Sequence, residues 1–179
     1  MSHQFINTTN PDLQLLQGEK ILLIPLHELH FESLFAAASD PLIWEQHPNP
    51  NRYQLTDFTT FFEGAMQSKG AFLILKNDTD EVVGSSRFYD YNPDTKSVLI
   101  GYTFITRKFW GGGVNTELKK LMIEYAFKHV DKVLFYVGGS NWRSQKAMER
   151  LGGVKIGEEL IEYFGEGLKM NVVYEIQKK

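Results

Sequence analysis

Between residues 98 and 127 an apolar, strand-like segment runs into three successive glycines and then into an amphipathic helix. Val98 to Ile105 is the strand. Leu118, Leu121, Met122, Tyr125 and Ala126 fall at the i, i+3, i+4, i+7, i+8 spacing of one helical face, and Lys119, Lys120, Glu124 and Lys128 fall outside it. Gly111, Gly112 and Gly113 stand between the two elements. Glycine takes positive φ freely and lets a ligand come close to the backbone. The first turn of a helix has unpaired amide N–H groups and a positive dipole end. Strand, glycine loop and helix N-terminus therefore make an anion site, most simply a phosphate site, although the same glycines also serve a plain tight turn.

Two familiar phosphate loops are excluded. No Gly-Lys-Ser/Thr follows the glycines, so there is no lysine of the kind that reaches a nucleotide's phosphates. A dinucleotide fingerprint needs a glycine at position 116, which is Thr116, and an acid about 20 residues on, where the uncharged Gly138 and Gly139 stand.

A second pattern follows, Asn141-Trp142-Arg143-Ser144-Gln145-Lys146-Ala147-Met148-Glu149-Arg150-Leu151-Gly152. The two segments together resemble the acyl-CoA-binding core of the GCN5-related N-acetyltransferases (GNAT), especially the branch with the ribosomal-protein N-terminal acetyltransferases. That family's loop reads Gln/Arg-x-x-Gly-x-Gly/Ala, and the matching positions are Trp110, Gly111, Gly112, Gly113, Val114 and Asn115. Gly113 fits the central glycine, Trp110 replaces the polar first residue and Asn115 the small sixth. The second pattern is similar to the family's Asn-x-x-Ser/Ala-x-x-Leu/Ala-Tyr-Glu-Lys-x-Gly helix. The resemblance covers roughly residues 18 to 176.

The resemblance implies an α/β fold: a mixed, mostly antiparallel central sheet of about seven strands flanked by helices on both faces. It implies acetyl-CoA as acyl donor, lying in a cleft where two central strands splay apart. Phe104, Ile105 and Thr106 match the positions that meet the pantetheine arm. Trp110 opens the loop, and the amides of Gly111, Gly112, Gly113, Val114 and Asn115 match the pyrophosphate cradle. Arg107, Lys108, Arg143 and Lys146 are cations available to the 3′-phosphate by charge attraction. Asn141 and Ser144 match cofactor-side positions of the second helix.

The implied chemistry is direct acetyl transfer from a thioester to a primary amine, on a protein N-terminus or a small molecule. The amine must be neutral, the oxyanion needs an N–H donor, and the leaving thiolate takes up a proton. The family's thiolate-protonating tyrosine is replaced here by Met148, which has no proton to give. In the ribosomal-protein-like branch a serine one turn earlier takes that role, and Ser144 occupies the position. Asn141 also reads as an ordinary N-cap with Ser144 in the first turn. The missing tyrosine leaves open a second reading, a non-catalytic acyl-CoA-binding or sensing module.

The rest of the chain is consistent with one domain over residues 18–179 after a lead-in at 1–17. Lys20 to Pro25 is strand-like and is followed by a helical stripe through Ala38. Ser39-Asp40-Pro41 breaks that helix, and Leu42 to Tyr53 reads as irregular and rich in chemistry. Trp44, Arg52 and the strand residue Arg87 are expected to line the acceptor pocket, with Glu45 or His47 drawing off the amine's proton. A helix with Phe58, Phe61, Phe62, Ala65 and Met66 on its apolar side comes next. Strands follow at 71–76, 81–89 and 97–105, and in the last of these Val98, Ile100, Tyr102 and Phe104 are expected to share one side. Val133 to Val137 reads as a central strand buried on both faces, and two more strands lie at 154–157 and 169–176. A net charge of −3 gives no basic footprint for nucleic acid. No cysteines are present and the histidines show no metal spacing, so no metal site is expected. No signal peptide and no membrane span are legible, which makes the cytoplasm the expected location. The oligomeric expectation is a monomer or homodimer.

Overall fold

The computed structural model describes residues 15–179, and residues 1–14 of the expected lead-in lie outside the described residues. The end of that lead-in is already tied into the sheet. Strand β1 (Leu16–Gln17) pairs antiparallel with β2 (Ile21–Pro25), Leu16 opposite Leu23. Helices α1 (Phe31–Ala38), α2 (Pro41–Trp44) and α3 (Leu55–Ser68) follow. Then come strands β3 (Ala71–Lys76), β4 (Val82–Asn92) and β5 (Ser97–Ile105), helix α4 (Val114–Ala126) and strand β6 (Lys132–Gly138). Helix α5 (Trp142–Arg150) and the hairpin β7 (Val154–Tyr163) and β8 (Gly167–Gln177) complete the chain. The sheet has eight strands in the order β1-β2-β3-β4-β5-β6-β8-β7, and β5–β6 is its parallel pair.

Each face of the sheet has its own core, as a half-apolar helix requires. On one face Leu118, Met122 and Ala126 of α4 and Met148 of α5 pack on Leu23, Phe72, Phe88, Val98 and Val133. On the other, Leu34, Trp44, Phe58 and Phe61 of α1–α3 pack on Ala71, Leu73 and Phe104. The second layer covers β2 to β5 only. Leu134 and Tyr136 of β6 are therefore half-buried, and the strand is not enclosed on both faces as its composition suggests.

One irregularity changes the reading of β5. Ser85 pairs with Phe104 and Arg87 with Gly101, so two residues of β5, Tyr102 and Thr103, oppose one of β4. Tyr102 takes φ 50° to accommodate the extra residue. Such a bulge resets the alternation of a strand. Val98 and Ile100 face α4, as does Ile105, whereas Tyr102 and Phe104 turn to the α1–α3 side. The single apolar side expected for this strand is thus split in two. Below the bulge β5 pairs with β6 at Ser97–Lys132, Val98–Val133 and Leu99–Leu134 and no further. β6 keeps to β8 as far as Gly138–Asn171, so a wedge opens between β5 and β6.

Candidate active site

The wedge is a cleft of about 520 Å³ that passes through the sheet. Thr103, Lys119, Ser144 and Met148 line it on the α4–α5 side, and His47, Arg52, Tyr102 and Tyr163 on the other. Among the described residues no aspartate or glutamate lines it. A separate hollow of about 340 Å³ beside Pro48–Asn51 contains none of the glycine-loop or α5 residues.

The glycine loop forms one end of the cleft. Gly111 has φ 76° and Gly113 φ 80°, conformations that a side chain strains. Gly113 is the N-cap of α4 and no side chain caps that helix. Its first backbone bond runs from the Glu117 N–H to the Gly113 carbonyl at 3.0 Å, so the amides of Val114, Asn115 and Thr116 precede the intrahelical ladder. A Cβ at Gly111 would meet nothing within 4 Å, which leaves the loop's outer face open to a ligand. The unusual Trp110 holds the loop down: its indole N–H donates to the Ile105 carbonyl at 2.8 Å, and Arg143 lies 4.2 Å from its ring centroid. Lys20, a residue the sequence did not single out, donates to the Gly112 carbonyl at 2.7 Å from 92 positions away.

The donor-side residues of β5 and α5 meet at the same cleft. Phe104 and Ile105 line it. Thr106 does not: its amide donates to the Val83 carbonyl at 2.9 Å, and its hydroxyl is buried without a partner. The Asn141 side chain accepts from the Ser144 N–H at 3.2 Å, capping α5. Ser144 lines the cleft, and its hydroxyl has no hydrogen-bond partner among the described residues. Of the four cations considered for a 3′-phosphate, Arg143 and Lys146 line the cleft, whereas Arg107 pairs with Asp40 and Lys108 with Glu81.

The family model for the acetyltransferase (GNAT) domain matches residues 20–154. The chain belongs to the GNAT family. A T. thermophilus protein assigned as an acetyltransferase is 26% identical with a TM-score of 0.73, over 92% of this chain and 89% of that one. A GCN5-related N-acetyltransferase from Brucella melitensis shares the fold at 19% identity and a TM-score of 0.76, over 93% and 80% of the two chains. RimL, a ribosomal L7/L12 α-N-protein acetyltransferase solved in complex with coenzyme A, shares it at 20% identity and 0.71, over 92% and 98%. As a GNAT protein the chain is an acyltransferase with acetyl-CoA as its donor.

On the acceptor side of this GNAT cleft the residues named from the sequence divide. Trp44 is fully buried. It donates to the Ala38 carbonyl at 2.7 Å and packs 5.0 Å from the Phe104 ring, so it supports the wall and is not part of the cleft surface. Arg52 lines the cleft, but its guanidinium already holds Glu166 bidentately, at 2.8 and 2.6 Å. Arg87, expected to line the pocket, does not: it is buried with its centre 3.3 Å from the Tyr102 ring centroid, and its Nε and Nη1 have no hydrogen-bond partner. Burial, opposed by Tyr102 and Tyr89, pushes its pKa down to about 10. Glu45 is exposed and stands 3.4 Å from Arg143, outside the cleft lining.

His47 lines the cleft but is not the base that its unperturbed chemistry suggests. Burial above all, then the positive Arg52 and Arg143, lowers its pKa from 6.5 to about 3. At neutral pH it is uncharged and a poor proton acceptor. The unfolded chain binds this proton near pH 6.5, the folded chain only near 3. The group's contribution to stability is therefore complete above pH 6.5 and is lost as pH falls toward 3. His47→Gln is expected to flatten the loss of stability below pH 6.5, followed by chemical denaturation across that range. An unchanged acid limb would show that His47 ionises normally in the fold.

Proposed function

We propose that this GNAT protein acetylates an α-amine, at a protein or peptide N-terminus or on a small molecule, by direct transfer from acetyl-CoA. The observation that carries the reading is the chemistry of the cleft. Among the described residues no carboxylate lines it, and its histidine ionises at about 3. With neither a carboxylate nor a basic histidine on the side from which the amine comes, the acceptor must bring its own neutral fraction. An α-amine ionises at about 7.7 to 8.0 and does so; a lysine side chain at about 10.4 is almost wholly charged. The α-N-protein acetyltransferase activity of RimL, whose fold the chain shares, is in keeping with this.

In this reading acetyl-CoA enters from the α4–α5 side, with its pyrophosphate on the amides after Gly113. The amine comes from the side of His47 and Arg52 through the wedge and attacks the thioester carbon. The rings of Tyr89, Tyr102 and Tyr163 line this side, and the charge of Arg87, buried behind the Tyr102 ring, suits an acceptor with a carboxylate or carbonyl near its amine. Thiol release from acetyl-CoA, measured with a panel of N-terminal peptides, amino acids, polyamines and lysine ε-amines, tests the proposal. Turnover of α-amines, rising with pH through the acceptor's own pKa, is expected. Faster turnover of polyamines or lysine side chains would overturn it.

In the same reading Ser144 hydrogen-bonds the sulphur as the carbon–sulphur bond breaks. Ser144→Ala is expected to lower kcat by about 10- to 100-fold, what a hydrogen bond to a charged group is worth, and to change coenzyme A affinity less than about twofold, because the contact strengthens only in the transition state. A loss below about threefold would leave Ser144 a packing residue.

A further inference from the structure

Lys119 lies off the apolar stripe of its helix, yet it is buried, with 4% of its surface exposed. Its Nζ donates to Thr103 Oγ1 at 2.6 Å, and that oxygen shares a hydrogen with Ser86 Oγ at 2.7 Å. The same amine stands 5.6 Å from the Phe135 ring centroid. Thr103 is in the bulge of β5 and Phe135 is on β6, so the amine sits at the crotch of the wedge, where the cleft crosses the sheet. An ammonium has three N–H donors, and a single hydroxyl takes one of them. No carboxylate pairs with Lys119 among the described residues.

Two further observations narrow its role. Lys119 reaches the wedge from α4, on the same side as Ser144 and opposite His47 and Arg52. A group on that side faces the departing sulphur, not the incoming amine. Desolvation alone sets its ionisation, at about 7. The other charged or titratable groups lining the cleft, His47, the cations Arg52, Arg143, Lys146 and Arg150 and the tyrosines Tyr89, Tyr102, Tyr136 and Tyr163, do not contribute to that shift. A hydroxyl such as that of Ser144 donates a hydrogen bond but has no proton to lose near pH 7.

We propose that Lys119 pairs with the coenzyme A sulphur and supplies its proton as the thiolate leaves. The inference rests on acetyl-CoA occupying the wedge as described above. As the tetrahedral intermediate collapses, the carbon–sulphur bond breaks and the electron pair stays on sulphur. One Nζ–H proton moves to that sulphur, giving the free thiol and a neutral lysine. The proton lost by the acceptor nitrogen goes to water, and Lys119 is reprotonated from water before the next turnover.

The test is acceptor-free. Coenzyme A is bound at saturation, and its thiolate is titrated by ultraviolet absorbance. In the parent protein the thiol is expected to ionise at least one pH unit below that of free coenzyme A, a tenfold change in its ionisation constant. Lys119→Met is expected to abolish this shift and Lys119→Arg to keep it, since the charge remains. A thiol that titrates as in free coenzyme A in the parent, or a shift that survives in Lys119→Met, overturns the inference. Should Lys119→Met fail to fold, the parent titration and Lys119→Arg decide. No binding of coenzyme A to the parent would instead overturn the transferase reading on which the inference rests.

Discussion

Gly113→Glu is expected to abolish coenzyme A binding, with a loss of at least about 100-fold, or about 2.7 kcal/mol, by calorimetry. Gly113 is the N-cap of α4 at φ 80°, next to amides that no side chain caps. A glutamate there sets its own carboxylate before the positive end of the helix, where a pyrophosphate would lie, and repels it. The same substitution also forces a side chain into the left-handed region, which costs about 1–2 kcal/mol of stability. Gly113→Ala separates the two effects. Its Cβ would meet only the flexible end of Lys20, at 3.3 Å, so it shares the strain without the charge. It is expected to melt earlier and still bind coenzyme A. Equal affinity of Gly113→Glu and the parent would put the cofactor elsewhere.

The largest stability effect is expected at Glu166. The carboxylate and the Arg52 guanidinium are 6% and 2% exposed, and the pair fastens the β7–β8 turn to the segment between α2 and α3. Arg52 is also 5.2 Å from the Phe61 ring centroid and 5.6 Å from that of Tyr102. The unpaired Arg87 is close enough for Arg52 to lower its pKa. Glu166→Gln keeps the shape of the side chain and leaves two neighbouring buried cations with no anion. Removing one partner of a buried pair typically costs about 3–5 kcal/mol, and the upper part of that range is expected here in urea denaturation. The double change Arg52→Met with Glu166→Leu is expected to recover most of the loss, because it removes the stranded charge along with its partner. A loss under about 0.5 kcal/mol for Glu166→Gln would mean that water compensates Arg52.

What the residues declare locally, the chain carries out. The strand, glycine loop and helix form at 97–126 because positive φ at Gly111 and Gly113 and a helical stripe depend on chain neighbours only. The Asn141 cap is equally local, closing on an amide three residues away. The individual strands and helices follow from alternating and helical apolar spacing, whereas the sheet with helices on both faces is what the family resemblance implied.

The chemistry of the cleft was decided in three dimensions. Periodicity sets Lys119 outside the stripe, but whether that flank meets water depends on what the helix lies against. Here it lies over the gap between β5 and β6, and the lysine is buried there. The extra residue at Tyr102 is invisible in the alternation of β5, because a bulge is a property of a strand pair and not of one strand. Arg52 finds Glu166 across 114 positions, and no pattern in either segment announces the other. His47 has an ordinary histidine's pKa in the unfolded chain; burial and two guanidinium groups brought in by folding remove its basicity. Ionisation depends on dielectric and on charge through space, and both come into being only when segments distant in sequence pack together.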